Sequence, residues 1–263
     1  MDYILIPVLS FGVIGVVLGG VLAFAAKFFA VDADPRIEQV LDKLPGANCG
    51  GCGYAGCSAC AEAIVKGEAP VNACPGASGS SVAEISAIMG VEPTETVSMK
   101  AFINCSGTSD CAVYKFSFDG TKSCDGVNRI AAGDKACVYA CLGYGDCVSK
   151  CSFGAISIQN GVANINRNKC VGCGVCINTC PKKVISLKPE TAAVTVKCSS
   201  KDKGVEVKNK CSAGCIACRL CEKNCEAGAI TVENNLAVID YDKCTGCGIC
   251  AEKCPKKIIE KLN

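Results

Sequence analysis

Cysteine spacing constrains the fold of this chain more than any other feature. Three segments have the order C-x2-C-x2-C-x3-C, beginning at Cys170, Cys215 and Cys244. In such a run the first three thiolates bind one cubane cluster, and the fourth cysteine binds a second cluster. The spacing therefore predicts pairs of [4Fe–4S] clusters with crossed ligands.

The cysteine content, 26 in 263 residues, is typical of either a disulfide scaffold or heavy metal ligation. Structural zinc prefers two separated C-x2-C pairs, and disulfides need partner cysteines within reach of each other. Closely spaced triplets with a remote fourth cysteine fit neither pattern. The chain has no His, and its formal net charge of +2 gives no indication of a nucleic-acid partner.

The C-terminal half contains two copies of one module, because eight cysteines recur 74 residues later. The segments 155–163 and 229–237 also match each other. Each predicts two short strands around an Asn-Gly or Asn-Asn turn, since these residues tolerate a positive φ. Both copies are therefore expected to be ferredoxin-like modules.

Each module is expected to bind two clusters. In the second module the predicted ligand sets are Cys215, Cys218, Cys221 and Cys254, and Cys225, Cys244, Cys247 and Cys250. In the first module they are Cys151, Cys170, Cys173 and Cys176, and Cys137, Cys141, Cys147 and Cys180. Cys137 is included because Tyr144 stands where the repeat would have a cysteine. Its counterpart Cys211 is either spare or an alternative to Cys218.

A fifth cluster is predicted upstream, where the spacing is not that of a ferredoxin. Its expected ligands are Cys49, Cys52, Cys57 and Cys74. Glycines between them let backbone N–H groups turn toward thiolate and sulfide. Residues 58–66 are expected to be helical, with Cys60 as a buried apolar residue rather than a ligand.

The first residues predict a membrane anchor. No charged residue occurs from Tyr3 to Ala26, a run long enough for one transmembrane helix. A cleaved signal peptide is the alternative, although no Lys or Arg precedes the run. Basic residues follow it, which favours an outside N-terminus and cluster domains in the cytoplasm.

Six cysteines have no assigned role: Cys60, Cys105, Cys111, Cys124, Cys198 and Cys211. A sixth cluster that uses Cys105, Cys111, Cys124 and one other cysteine is one interpretation, and packed thiols are the other. The sequence around Cys198 repeats that around Cys105, at a spacing of 93 residues. The intervening residues 113–118 are expected to form a strand.

The predicted fold class is α+β, with a single transmembrane helix, a small helical 4Fe–4S domain and two ferredoxin-like modules. The expected boundaries are an anchor at 1–30, a 4Fe–4S domain at 31–92, a linker with extra cysteines at 93–130, module 1 at 131–190, a connector at 191–206 and module 2 at 207–263.

Residues 45–57 have the motif Pro-Gly-x-Asn-Cys-Gly-Gly-Cys-Gly-x-x-Gly-Cys. Together with the anchor and the ferredoxin runs, this motif resembles the B subunit of the Rnf complex, in the long form found in anaerobes. The resemblance implies an electron-transfer subunit of an ion-translocating ferredoxin:NAD⁺ oxidoreductase in the cytoplasmic membrane. Its implied partners are soluble ferredoxin and the integral and peripheral subunits of that complex. The sequence shows no Gly-rich dinucleotide fingerprint, so NAD chemistry is expected elsewhere. A membrane-tethered polyferredoxin without a pumping partner is the alternative.

Overall fold

The computed structural model describes residues 2–28, 34–93 and 97–262. The helices in these ranges are α1 Asp2–Phe28, α2 Pro35–Lys43, α3 Cys57–Val65, α4 Gly79–Met89, α5 Cys124–Asn128, α6 Asp146–Ser149, α7 Val175–Thr179, α8 Gly204–Lys210, α9 Leu220–Lys223 and α10 Ile249–Glu252. The strands are β1 Met99–Ile103, β2 Ile156–Gln159, β3 Val162–Ile165, β4 Ile185–Pro189, β5 Val194–Val196, β6 Ile230–Glu233, β7 Leu236–Ile239 and β8 Ile259–Lys261.

The N-terminal segment forms the 27-residue helix α1. Apolar side chains along it are exposed, among them Leu9, Val16 and Leu22. Within the described residues, no helix reaches the length and hydropathy required of a membrane span. Residues 1, 29 and 30 of the expected anchor lie outside the described ranges.

Helices α2, α3 and α4 pack together as a small helical domain. Val40, Cys60, Ile64 and Ile85 from the three helices are almost fully buried in its core. Helix α3 covers the segment expected to be helical, so that prediction is confirmed. Helix α4 begins where the Ser78 hydroxyl accepts the N–H of Ser81, and it ends at a left-handed glycine.

The two C-terminal modules have the predicted repeat. Strands β2 and β3 form one antiparallel hairpin, and β6 and β7 form the other. The turn residues Asn160, Asn234 and Asn235 have positive φ values of 46°, 48° and 63°. Both hairpin predictions are therefore confirmed, including the reason that these turns use Asn.

Each module is completed by strands from the segments expected to be a linker and a connector. Strand β1 pairs antiparallel with β4, and β5 pairs antiparallel with β8. Residues 97–103 and 194–196 therefore belong to the two modules, which begin earlier than the expected positions 131 and 207. Residues 94–96 of the expected linker lie outside the described ranges.

The two modules pack against each other through backbone and polar contacts. The N–H of Val113 donates to the carbonyl of Lys210 at 2.9 Å, and the Ser199 hydroxyl donates to the carbonyl of Asn104 at 2.7 Å. Residues 113–118 do not form the expected strand, because only an isolated bridge joins Tyr114 to Lys135. This segment instead runs along the seam between the modules.

Candidate metal centres

Four enclosed cavities in the two modules are each lined by four cysteines. The first two lie in module 2 and have volumes of about 350 Å³ each. Site C is lined by Cys215, Cys218, Cys221 and Cys254. Site D is lined by Cys225, Cys244, Cys247 and Cys250. The structure thus brings together both predicted ligand sets of module 2, with Cys225 and Cys254 exchanged between the runs.

The third cavity, site B, differs from the predicted ligand set in one residue. It has a volume of about 360 Å³ and is lined by Cys124, Cys141, Cys147 and Cys180. The structure does not place Cys137 there. The carboxylate of Asp146 fixes Cys124 instead, because it accepts the N–H of Cys124 at 2.9 Å and the hydroxyl of Ser123 at 3.0 Å.

Site B could not be assembled from spacing, because Cys124 lies 17 residues before Cys141. The only sign in the sequence that site B needs a ligand from elsewhere is Tyr144, which stands at the position of the predicted ligand Cys218 in the other module. In the structure the Tyr144 hydroxyl donates to Asp134 at 2.8 Å and is therefore occupied elsewhere.

The fourth cavity, which we call the bridging site, lies between the modules. It has a volume of about 420 Å³ and is lined by Cys105, Cys137, Cys198 and Cys211. Each module supplies two thiols, and the two pairs occupy equivalent positions in the repeat. Its size is close to that of the other three cavities, so the same kind of ligand fits all four.

The remaining predicted ligands belong to two sets, which we call site A (Cys151, Cys170, Cys173 and Cys176) and site N (Cys49, Cys52, Cys57 and Cys74). The structure brings the four thiols of site A together, and in site N it brings Cys74 near Cys52 and Cys57. Burial first, and then the nearby thiols of Cys170, Cys173 and Cys151, raise the pKa of Cys176 to about 11. Burial of Cys74, together with the thiols of Cys52 and Cys57, raises its pKa as well.

Site N meets site A at a close backbone contact. Burial raises the pKa of Cys173, and the nearby Cys49 thiol raises it further. Gly51 is needed here, since a side chain at this position would collide with the carbonyl oxygen of Cys173. The glycine-rich loop therefore lets two cysteine groups approach each other.

Two cysteines lie outside these six groups. Cys60 is 1% exposed in the helical core, and its pKa is raised to about 12 by burial and by the thiols of Cys52 and Cys74. Cys111 donates through Sγ to the carbonyl of Ser106 at 3.2 Å. Cys60 thus has the packing of a buried thiol, and its role as a non-ligand stays a prediction. Cys111 is half-buried, and the sequence leaves its role open.

The chemistry of the cavities fits clusters that carry negative charge. Backbone N–H groups donate to cysteine sulfurs, for example from Ala155 to Cys151 at 3.4 Å and from Ala229 to Cys225 at 3.3 Å. Burial raises the pKa of Cys211 to about 11, so its thiolate would need a metal partner to form. Among the described residues, no three Cys, Asp or Glu side chains are arranged to hold a single metal ion.

Comparison with known proteins identifies iron–sulfur domains in this chain. A family model described as "Putative Fe-S cluster" matches residues 44–75, and one described as "4Fe-4S binding domain" matches residues 163–186 and 237–260. The B subunit of the ion-translocating oxidoreductase complex of Methanosarcina acetivorans is 44% identical over 94% of this chain and 94% of its own length. The chain belongs to the B-subunit family of ion-translocating oxidoreductase complexes.

Two further members of the B-subunit family are similar over nearly the whole chain. The B component of the Na(+)-translocating ferredoxin:NAD(+) oxidoreductase complex of Acetobacterium woodii is 45% identical over 98% of this chain and 78% of its own length. Its counterpart in the proton-translocating ferredoxin:NAD(+) oxidoreductase complex of Clostridium ljungdahlii is 40% identical over 100% of this chain and 94% of its own length. These matches confirm the resemblance to the Rnf family.

Some sites of this B-subunit family member lie within the ranges that the family models match, and the bridging site lies outside them. Residues 44–75 include all of site N, and the other two ranges include the C-x2-C-x2-C-x3-C runs beginning at Cys170 and Cys244. All four thiols of the bridging site lie outside the matched ranges. Only the three-dimensional arrangement brings them together.

Proposed function

We propose that this chain is the iron–sulfur subunit of a membrane-bound ferredoxin:NAD⁺ oxidoreductase of the Rnf type. It would accept electrons from reduced ferredoxin and relay them one at a time to membrane partners. The observation that carries this proposal is the set of four cavities in the two modules, each lined by four cysteines. Family membership supports the assignment to the complex.

Direct contacts between neighbouring groups support one order for the relay. Cys49 of site N contacts Cys173 of site A, and sites A and B share the short helix α7 with its cap Cys180. The N–H of Cys141 in site B donates to the Cys105 sulfur of the bridging site at 3.4 Å.

The second half of the order follows from equivalent contacts in module 2. The N–H of Cys215 in site C donates to the Cys198 sulfur of the bridging site at 3.4 Å. Sites C and D share helix α9, which places Cys221 in one group and Cys225, just after the helix, in the other. We therefore propose the order N, A, B, bridging, C, D.

Six [4Fe–4S] clusters are the cofactors that these groups fit, one more than the five expected from spacing. A cubane with four thiolate ligands changes by one electron, and its potential depends on charge, hydrogen bonds to sulfur and exposure. The residues of this chain would hold the clusters, shield them from water and set those potentials. NAD would be handled by another subunit.

Attachment to the membrane is part of the proposal. It rests on the uncharged run from Tyr3 to Ala26 and on the exposed apolar side chains of α1, such as Leu9 and Val16. The partners would be integral and peripheral subunits of the same complex, with the N-terminus outside and the cluster domains in the cytoplasm.

Anaerobic purification of the full chain from membranes in mild detergent tests this proposal. Six clusters predict about 24 irons per chain with matching sulfide. The other subunits should co-purify with the full chain, and a variant that lacks residues 2–28 should lose them while keeping its iron. A full chain that carries its iron but purifies alone would favour a tethered polyferredoxin, and an iron-free chain would contradict both functions.

A further inference from the structure

Two lysines of the first module are buried without a carboxylate partner among the described residues. Lys135 is 0% exposed and Lys188 is 8% exposed. Within the described part of the chain, neither ammonium group forms an ion pair. The neighbouring carboxylate of Asp134 accepts the Tyr144 hydroxyl through Oδ2 instead. An unpaired buried charge is costly, so each lysine calls for a source of negative charge.

Lys135 lies against the bridging site. Its Nζ donates to the carbonyl of Gly107 at 2.7 Å and to that of Gly161 at 2.8 Å. Gly107 lines the bridging cavity beside Cys105. The Tyr114 ring lies 5.8 Å from the same Nζ. These partners are all neutral, so they orient the ammonium group without balancing its charge.

Lys188 contacts the residue that precedes Cys105 of the bridging site. Its Nζ donates to Oδ1 of Asn104 at 2.9 Å and contacts the Thr195 hydroxyl. Lys188 also lines a groove together with Cys198. Burial lowers the pKa of Lys188 to about 8 in the surroundings that the protein alone provides. Here too the hydrogen-bond partners are neutral.

We infer that Lys135 and Lys188 are built-in counter-charges of an iron–sulfur cluster at the bridging site, and that they raise its reduction potential. This inference rests on the proposed function. Their hydrogen-bond partners Gly107 and Asn104 lie within two residues of Cys105, so both ammonium groups are held beside the segment that carries one cluster ligand.

The physical reason is electrostatic. A cluster bound by four thiolates is negatively charged, and one electron from a neighbouring cluster makes it more negative by one unit. Nearby positive charge stabilises the reduced form more than the oxidised form, and low dielectric strengthens that effect. The lysines would therefore favour electron residence between the two modules.

Each lysine also lies near one other site, which sharpens the prediction. Lys135 lowers the otherwise raised pKa of Cys141 in site B. Lys188 lies 6.0 Å from the ring of Tyr241, whose surroundings include Cys244 of site D. The bridging site is the one that both lysines share, so both substitutions should shift its potential.

The test is a redox titration of the full chain, followed by electron paramagnetic resonance, for the variants Lys135→Gln and Lys188→Gln. The bridging signal is identified by its loss in Cys211→Ala. We expect each variant to keep the iron content of the unmodified chain. Its bridging midpoint should fall by at least the equivalent of a tenfold change in equilibrium constant, about 59 mV for one electron.

Lys197→Gln is the matched control. Lys197 lines the same cavity, but a third of its side chain is exposed, so water screens its charge. We expect Lys197→Gln to shift the bridging midpoint by less than half as much as Lys135→Gln or Lys188→Gln. Should Lys135→Gln fail to fold, the shift in Lys188→Gln decides the question alone.

An unchanged bridging midpoint in iron-loaded variants would overturn the inference and leave the proposed function intact. Loss of the bridging cluster in both lysine variants would also overturn it, because the lysines would then be structural. If the unmodified chain binds no clusters, the proposed function itself fails.

Discussion

Removing one thiol at a time separates the ligand sets of site B and the bridging site. The geometry assigns Cys124 to site B and Cys137 to the bridging site. We expect Cys124→Ala to lose the signal of site B, and Cys137→Ala to lose that of the bridging site. The spacing of the sequence instead assigns Cys137 to site B and leaves the role of Cys124 open.

The expected loss can be stated per chain. Six groups of four thiols account for 24 of the 26 cysteines, so each variant should lose one cluster in six. That is about four irons of about 24. The assay is anaerobic iron and sulfide analysis with electron paramagnetic resonance, using Cys180→Ala as a reference loss of site B.

Two results would refute this reasoning. If the spectrum of Cys137→Ala lacked the signal that Cys180→Ala also lacks, Cys137 would be a ligand of site B after all. If Cys124→Ala retained all its iron and all its signals, the contact between Asp146 and Cys124 would have no ligand-positioning role.

Three further predictions concern positions that hold these groups in place. Gly172 has φ of 72°, and a side chain there would collide with the Met99 carbonyl, so Gly172→Ala should destabilise the protein by more than ~1 kcal/mol in thermal melts. Gly174 has a similar φ but open space around it, so Gly174→Ala should destabilise the protein less. Equal losses of stability in the two variants would contradict the collision. Burial tends to raise the pKa of Asp146, but the N–H groups of Cys124 and Asp125 outweigh it and lower that pKa. Asp146→Asn should therefore release site B iron to a chelator faster than Asp125→Asn, and equal rates would contradict this role. Cys60→Ala should retain all iron and lose about 1 kcal/mol of stability, whereas loss of four irons would make Cys60 a ligand.

The sequence predicted those features that depend on neighbouring residues. The hairpins follow from alternating strands around asparagine turns, and sites C and D follow from runs whose cysteines are two or three residues apart. Helix α3 follows from a continuous stretch of good helix formers. The hairpins and the helix depend on interactions within one segment, and sites C and D each combine three thiols of one run with a single thiol of the other.

The bridging site could not be predicted in this way, because its thiols come from four separate segments. They meet only when β1 pairs with β4, β5 pairs with β8, and the two modules then pack together. The sequence contained a partial signal: Cys137 and Cys211 are equivalent in the repeat, and the residues around Cys105 recur at Cys198. Equivalent residues of two copies meet when the copies pack face to face.

Sequence patterns also could not predict which lysines are buried. Lys135 and Lys188 resemble the solvated lysines beside the cysteine runs, and only tertiary packing excludes water from them. The same limit applies to Cys124, whose position depends on Asp146 in a segment 22 residues away.

The most direct test of the relay removes its central member. The full chain and a Cys198→Ala variant are mixed with reduced ferredoxin, and samples frozen at increasing times are examined by electron paramagnetic resonance. In the intact chain, signals on both sides of the bridging site should appear together. In the variant, sites N, A and B should separate kinetically from sites C and D, with one group reduced far later than the other. Simultaneous reduction of both groups in a variant that lacks the bridging cluster would contradict the proposed order.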